Sequence, residues 1–381
     1  MAKIRRRSWK TPAGESREAW IADYKDQSGT RRLKTFTTRR EADAWLVGAR
    51  SEVAAGTHTA ASASITVAEA CARWIAHGEA EGLERGTLRQ RSQHIKHHIV
   101  PFIGATKLAT LTLPAVNNFL SKLRDADRSS AMRRKVLVSL KSAITCAQRE
   151  GLVAHNVATP AKVATDKRRA SKGPLRPGHD FPSKQEVNAL IERTPANRRA
   201  FVLMLCFTAM RIGELRGLRW SDVDLAAGVA HIRQRIDAWC QADAPKSAAG
   251  KRDIPLTPST VNALKEWKLR CPKGDANLVF PNSLGRPQWA QDLENRFWKP
   301  LQVEAGVVDE RGKAKYGFHA CRHFGASLFI ESLGWTPKQV QTVVGHSSIT
   351  MTYDTYGHLF KNPEADSAAM ARMEKAVRAV S

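Results

Sequence analysis

The chain has 381 residues, 42% of them hydrophobic and 25% charged, the balance of a globular protein long enough for two or three domains. Sixty-one Lys+Arg against thirty-six Asp+Glu leave a net charge of +25. A field of that sign gathers polyanions, so nucleic acid is the expected partner. No apolar run approaches the roughly 18 residues that a bilayer span needs, and Met1–Arg7 lacks the apolar core of a secretion signal; a membrane partner is not expected, and the cytoplasm is. Six cysteines (Cys71, Cys146, Cys206, Cys240, Cys271 and Cys321) stand far apart with no C-x-x-C pair, against a zinc module or a disulfide framework.

The pattern predicts a multidomain, mainly α protein with small β-sheets. Residues 1–60 predict a three-stranded sheet followed by one helix. Trp20–Tyr24 alternates as a strand, Asp26–Gly29 is a turn, and Arg31–Phe36 returns. Thr38-Arg-Arg-Glu41 is a capping box, after which Ala42, Trp45, Leu46, Ala49 and Val53 recur at helical spacing. Arg5, Arg6, Arg7, Arg31, Arg32 and Lys34 gather around this sheet and are candidate DNA contacts, since a sheet can enter a groove. Ala54–Ser64, rich in Ala, Ser and Thr, is a linker.

Residues 65–155 predict an all-helical domain. Thr66-Val-Ala-Glu69 and Thr87-Leu-Arg-Gln90 are capping boxes; Val67, Ala70, Cys71, Trp74 and Ile75 form one buried stripe; Pro114 suits a first helical turn. A last helix runs from about Ser129 to Glu150 and stops at Gly151. Segment 61–180 carries 20 basic against 9 acidic side chains, so Arg133, Arg134, Lys135 and Lys141, off the apolar stripe, are candidate phosphate contacts. Residues 156–182, with Pro160, Pro174, Pro177, Pro182 and Lys167-Arg-Arg169, form a basic connector, and Ser183-Lys-Gln-Glu186 caps the first helix of a mixed α+β domain over 183–381.

Four islands in that domain carry chemistry. They are Thr208–Leu215, a helix reaching Arg211 with Glu214 three residues on; Pro245–Leu256, a basic glycine-containing turn entering a strand; His319-Ala-Cys-Arg-His323; and Val344-Gly-His346 followed by Tyr356. Each alone is an ordinary ion pair, histidine or packed tyrosine. Together they offer two guanidiniums, a lysine, two imidazoles and a phenol. These suffice to clamp a phosphodiester, move protons and supply a nucleophile. Within these islands no D-x-D or D-E-D cluster stands ready to hold paired magnesium ions, and no cofactor is expected.

In these islands the chain resembles the tyrosine recombinases, specifically the phage-type integrases of temperate phages and integrative elements. Arg211 follows the family's T-G-x motif, with Ala209 for glycine, a change expected to be mild in a helix. Lys246 precedes Arg252-Asp-Ile-Pro-Leu256, which matches R-x-x-P-L. His319 and Arg322 match H-x-x-R, with His323 the commonly following histidine. His346 matches L-G-H, with Val344 for leucine, and Tyr356 matches the nucleophile; Lys251 and Tyr353 are the neighbours that compete for two of these roles. The resemblance implies an arm-type DNA-binding domain over 1–60, a helical core-type (SAM-like) domain over 65–155, a linker over 156–182 and a catalytic domain over 183–381.

It also implies metal- and ATP-independent strand cleavage through a 3′-phosphotyrosine. Arg211 and Arg322 would clamp the phosphate, His346 would bond it, Lys246 would protonate the 5′-oxygen, His319 would assist at the tyrosine, and Glu214 would orient Arg211. Partners would be double-stranded DNA with att-like core and arm sites, three further copies in a homo-tetramer, DNA-bending accessory proteins and an excisionase, at the nucleoid of a bacterial host. A C-terminal stripe, Ala365, Ala368, Ala369, Met373, Ala376, Val377 and Val380, would dock on a neighbour or on its own domain. The alternatives are a relaxing type IB topoisomerase and a non-catalytic DNA-binding regulator.

Overall fold

The computed structural model describes residues 2–12, 14–26, 29–56, 58–60, 63–164, 173–360, 370–375 and 378; Lys167–Arg169 and all of the C-terminal stripe except Met373 lie outside them. The chain divides into two compact units, Met1–Ser171 and Lys172–Ser381.

In the first unit β1 (Lys3–Lys10), β2 (Ser16–Lys25) and β3 (Arg31–Phe36) form an antiparallel meander. The helix α1 (Arg39–Ala54) starts at the predicted box, where the Thr38 hydroxyl accepts from Glu41 N–H and the Glu41 carboxylate accepts from Thr38 N–H. Ala22 and Tyr24 pack on Leu46 of α1. Register pairs Arg6 with Trp20, Arg32 with Tyr24 and Lys34 with Ala22. Strand pleating therefore splits the expected basic cluster. Arg6, Arg32 and Lys34 share the face that α1 covers, and Arg5, Arg7 and Arg31 project from the other. Most are partnered within the sheet: Arg6 with Glu18, Arg5 and Arg31 with Asp23, Arg32 with Asp26, while Lys34 lies 4.5 Å from the centre of the Trp45 ring.

Helices α2 (Val67–Ala80), α3 (Arg85–His94), α4 (Val100–Ile103), α5 (Leu113–Asp125) and α6 (Ser130–Arg149) enclose a core built on Val67, Trp74, Ile99, Phe119, Leu123, Leu140 and Ile144. The Thr66 box, the Pro114 start and the Ser129 cap all form. Thr87 does not cap: the N-cap position falls three residues earlier, at Glu84, and α3 begins at Arg85. Gly82, at φ 68°, and the Leu83 N–H bonded to Gly78 O close α2 so tightly that the chain is already turning into α3 at Glu84. On α6 Arg134 and Lys135 are exposed and Arg133 is half-buried. Lys141 donates instead to the carbonyls of Thr159 and Ala161, at 2.9 and 2.8 Å, tying down the segment after α6.

The second unit opens with α7 (Lys184–Arg193), capped by Ser183 as expected, and α8 (Ala196–Phe207). Next come α9 (Ile212–Gly217), β4 (Val223–Asp224), β5 (Val229–Ile232), β6 (Arg235–Ile236), β7 (Ala242–Asp243), β8 (Arg252–Pro255) and α10 (Pro258–Arg270). The rest is helical: α11 (Ala290–Leu293), α12 (Lys299–Glu304), α13 (Phe318–Glu331), α14 (Pro337–Val344) and α15 (Ile349–Tyr356). Strands pair in the order β4-β5-β8 in one antiparallel sheet and β6-β7 in another.

Seven consecutive residues of α8, Ala200 to Cys206, are buried, so this helix is the central pillar, flanked by α10 and α13. Gly325 lets α13 cross its end closely: a Cβ there would lie 2.8 Å from Cys206 O and 3.0 Å from Ala209 N. No helix among the described residues is long and apolar enough to cross a membrane.

Candidate active site

Arg211 is not on the helix expected to reach it. The Thr208 hydroxyl turns back to bond Met204 O, ending α8 at Phe207, and Ala209 then takes a left-handed backbone at φ 51°. That conformation, rather than helix propensity, explains why glycine is at home here, and it makes Ala209 a strained substitute. The turn swings Arg211 to the N-cap of α9, where its N–H donates to Glu214 Oε2 at 3.0 Å and its Nη1 to Oε1 at 2.9 Å.

Glu214 is 3% exposed and also takes two bonds from Arg252 of β8, Nη2 to Oε2 at 2.8 Å and Nη1 to Oε1 at 3.2 Å. Burial opposes its ionisation, yet these guanidiniums hold its carboxyl below the usual range. Arg252, itself 5% exposed, extends to the carbonyls of Val343 and Gly250. One carboxylate thus fastens α9, β8 and the end of α14 together. At that end Gly345 adopts φ 75°, and Arg211 Nη2 donates to its carbonyl at 3.0 Å. A Cβ on Gly345 would lie 2.9 Å from Arg252 Nη1, so both backbone and space require glycine before His346.

From α13, His319 and Arg322 approach as the i, i+3 spacing required. Arg322 is 2% exposed and donates to Ala209 O at 2.8 Å; among the described residues no carboxylate pairs with it. Burial, then Arg211, pushes its pKa down to about 9, so it stays charged at neutral pH. Burial, then Arg322 and Arg211, lowers both histidines, His346 to about 4, leaving them neutral. His346 Nδ1 lies 3.0 Å from the Thr352 hydroxyl. With Thr352 donating there, the imidazole proton sits on Nε2, directed away from α15.

Tyr356 ends α15 with its ring 1% exposed, parallel to His346 at 6.4 Å between centres. Its hydroxyl lies 2.8 Å from His323 Nδ1. Burial raises its pKa well above the ordinary phenol value, and Arg322 offsets this only in part. Tyr353 is 52% exposed, its ring against Phe360, so the two candidate tyrosines have opposite surroundings.

Five of the six expected side chains, Arg211, His319, Arg322, His346 and Tyr356, therefore converge. Lys246 is exposed on the connection from β7 to β8, as is Lys251. Arg252 and His323 stand within the sequence motifs with no task that the sequence assigns; position beside a motif residue is their only signal there, and it says nothing of direction. Glu214 is committed to guanidiniums, and no second carboxylate pairs with it among the described residues. Elsewhere His77, Cys146 and Glu150 group on the first unit, where Glu150 is already held by Arg73 and His77.

The Phage integrase family pattern matches residues 182–362, and the phage integrase N-terminal SAM-like domain matches residues 66–124. A putative prophage phiRv2 integrase of Mycobacterium tuberculosis is 28% identical over 366 residues, covering 92% of each chain. A tyrosine recombinase XerC of Xylella fastidiosa is 31% identical over 162 residues, 42% of this chain and 48% of the relative. The Tn1549 transposon integrase in complex with a circular intermediate DNA superposes with a TM-score of 0.65 at 22% identity, covering 82% of this chain and 100% of that one. A lambda integrase tetramer bound to a Holliday junction does so at 0.59 and 19%, covering 90% and 96%; at these identities the likeness is one of fold. The chain belongs to the phage integrase family of tyrosine recombinases.

Proposed function

We propose that this recombinase cuts and rejoins DNA at att-like sites to integrate or excise a mobile element, with Tyr356 as nucleophile. The Tyr356 Oη–P bond forms as the P–O5′ bond breaks, the phenol proton passes to an imidazole, and Lys246 gives a proton to the departing 5′-oxygen. The products are a 3′-phosphotyrosine and a free 5′-hydroxyl. Attack by a second 5′-hydroxyl reverses the step, so the phosphodiester energy is conserved without ATP. Arg211 and Arg322 clamp the non-bridging oxygens, where charge accumulates, and His346 Nε2–H bonds one of them.

The observation that carries this reading is the uncompensated charge beside the buried phenol. Among the described residues Arg211, Arg252 and Arg322 share a single carboxylate, Glu214, and Arg322 is buried without an acid of its own. An anion arriving between Arg211 and Arg322 offsets that excess, and a phosphodiester is the anion a +25 chain collects.

In the same reading the segment 1–60 binds arm-type sites, 65–155 grips the core site and 183–381 reacts. Four copies act on two DNA sites with bending proteins and an excisionase, at the bacterial nucleoid. On a nicked suicide substrate Tyr356→Phe should bind DNA with unchanged affinity and form no covalent adduct, because the phosphate contacts dominate binding. Tyr353→Phe should still form the adduct. Loss of the adduct in Tyr353→Phe alone would overturn the reading.

A further inference from the structure

A buried phenol can become a nucleophile only if something in contact with it removes its proton. Tyr356 is 1% exposed, so bulk water does not reach its hydroxyl freely. His346 lies parallel to the tyrosine ring rather than at its hydroxyl, and its Nδ1 is engaged by Thr352. His319 presents its ring to another imidazole: it meets His323 edge-on, with centres 4.8 Å apart and planes at 85°. The nitrogen within hydrogen-bond distance of Tyr356 Oη is Nδ1 of His323, at 2.8 Å. His323 and His319 are one turn apart on α13, the helix that also carries Arg322.

We propose that His323 is a catalytic residue, the base that takes the phenol proton, with His319 standing behind it rather than touching the tyrosine. The proposal rests on Tyr356 being the nucleophile. In the reactive tautomer His323 carries its proton on Nε2, and Nδ1 accepts the hydrogen bond from Oη. As Oη bonds to phosphorus, its proton moves to Nδ1 and His323 becomes an imidazolium, while P–O5′ breaks and O5′ takes a proton from Lys246. On rejoining, the 5′-hydroxyl proton returns to Lys246 and the His323 proton returns to the leaving phenolate. Atoms and charges balance over the cycle with no further reactant. The edge of His319 against the His323 ring keeps that ring turned toward Oη. His319, whose pKa is lowered by burial and then by the charges of Arg322 and Arg211, is thereby left to face the phosphate beside those two arginines.

The test measures covalent adduct on a suicide substrate with the full chain. His323→Ala should form adduct about 10²–10⁴-fold more slowly, the worth of a positioned base, with unchanged DNA affinity. His323→Asn keeps a polar atom near Oη without the basicity, and it serves if the alanine variant melts early. It should be slow as well. A fluorinated tyrosine installed at position 356 ionises more easily and should recover most of the lost rate in either His323 variant. Arg322→Ala should gain little from it, because the missing charge acts on the phosphate oxygens. A merely structural role for His323 would not respond to the acidity of the phenol. An unchanged rate in both His323 variants, or slow variants that fluorination fails to recover, would overturn the proposal. Recovery in His319→Ala but not in the His323 variants would move the base to His319. Adduct formed by Tyr356→Phe would instead overturn the underlying reading, which keeps the two failures distinct.

Discussion

Glu214 is the counter-ion on which the arginine cluster depends, and Glu214→Gln isolates that dependence with little change of shape. The wild-type carboxylate accepts four bonds, two from Arg252 and two from Arg211, and both Glu214 and Arg252 are almost wholly buried. Glutamine offers one acceptor oxygen and turns an NH2 group toward guanidinium donors. Among the described residues Arg211, Arg252 and Arg322 are then left with no negative neighbour. Breaking a buried pair by removing one partner costs about 3–5 kcal/mol. For a unit of about 200 residues each kcal/mol moves the melting temperature by about 2–4 °C. The transition of the second unit should therefore fall by about 6–20 °C in calorimetry of the full chain. Inorganic sulfate, able to sit between the guanidiniums, should restore part of the loss to the variant and do less for the wild type. As a control, Asp253→Asn breaks half-exposed pairs with Arg233 and His231 and should change stability by no more than about 1 kcal/mol. A fall no larger than that of the control would refute the idea that Glu214 neutralises the cluster.

Three further outcomes follow from the geometry. Ala209→Gly relieves a left-handed backbone worth about 1–2 kcal/mol and loses a methyl worth about 0.8 kcal/mol. Urea unfolding should therefore show a net gain of up to about 1 kcal/mol, and a clear loss would mean the turn is not strained. His346 is held near 4 against an ordinary value of 6.5, so the unfolded chain takes up the proton first as pH falls. Stability should be intact above pH 6.5 and decline by up to about 3 kcal/mol on approaching pH 4, with a shallower slope in His346→Asn. Lys246→Ala should cleave normal DNA slowly but a 5′-bridging phosphorothiolate at near the wild-type rate, because a thiolate departs without a general acid. Sulfur rescue in Lys251→Ala instead would reassign that acid.

Local chemistry made much of this protein legible from its residues alone. The boxes at Thr38, Thr66 and Ser183 form because a cap needs only atoms three residues apart, and the helix from about Ser129 to Glu150 and the His319–Arg322 spacing are likewise set within one element. The order of Arg211, Lys246, His319, Arg322, His346 and Tyr356 along the chain was enough to suggest the family.

What the residues could not disclose is whatever depends on two distant segments meeting. Thr87 has a cap's sequence, but the closed turn at Gly78–Leu83 starts the helix before it. Lys141 has the look of a phosphate contact, but carbonyls 18 and 20 residues away bind it. Ala209 is an innocuous change in a helix, but the chain takes a left-handed turn there at φ 51°. Arg252 lies 38 residues from Glu214, and His323 lies 33 from Tyr356. Such contacts are chosen by the packing of α13 on the buried pillar of α8, of α14 on α13, and of α15 on α14. Burial then decides their chemistry, because a charge or phenol removed from water must take its partner from whichever segment the fold brings to it.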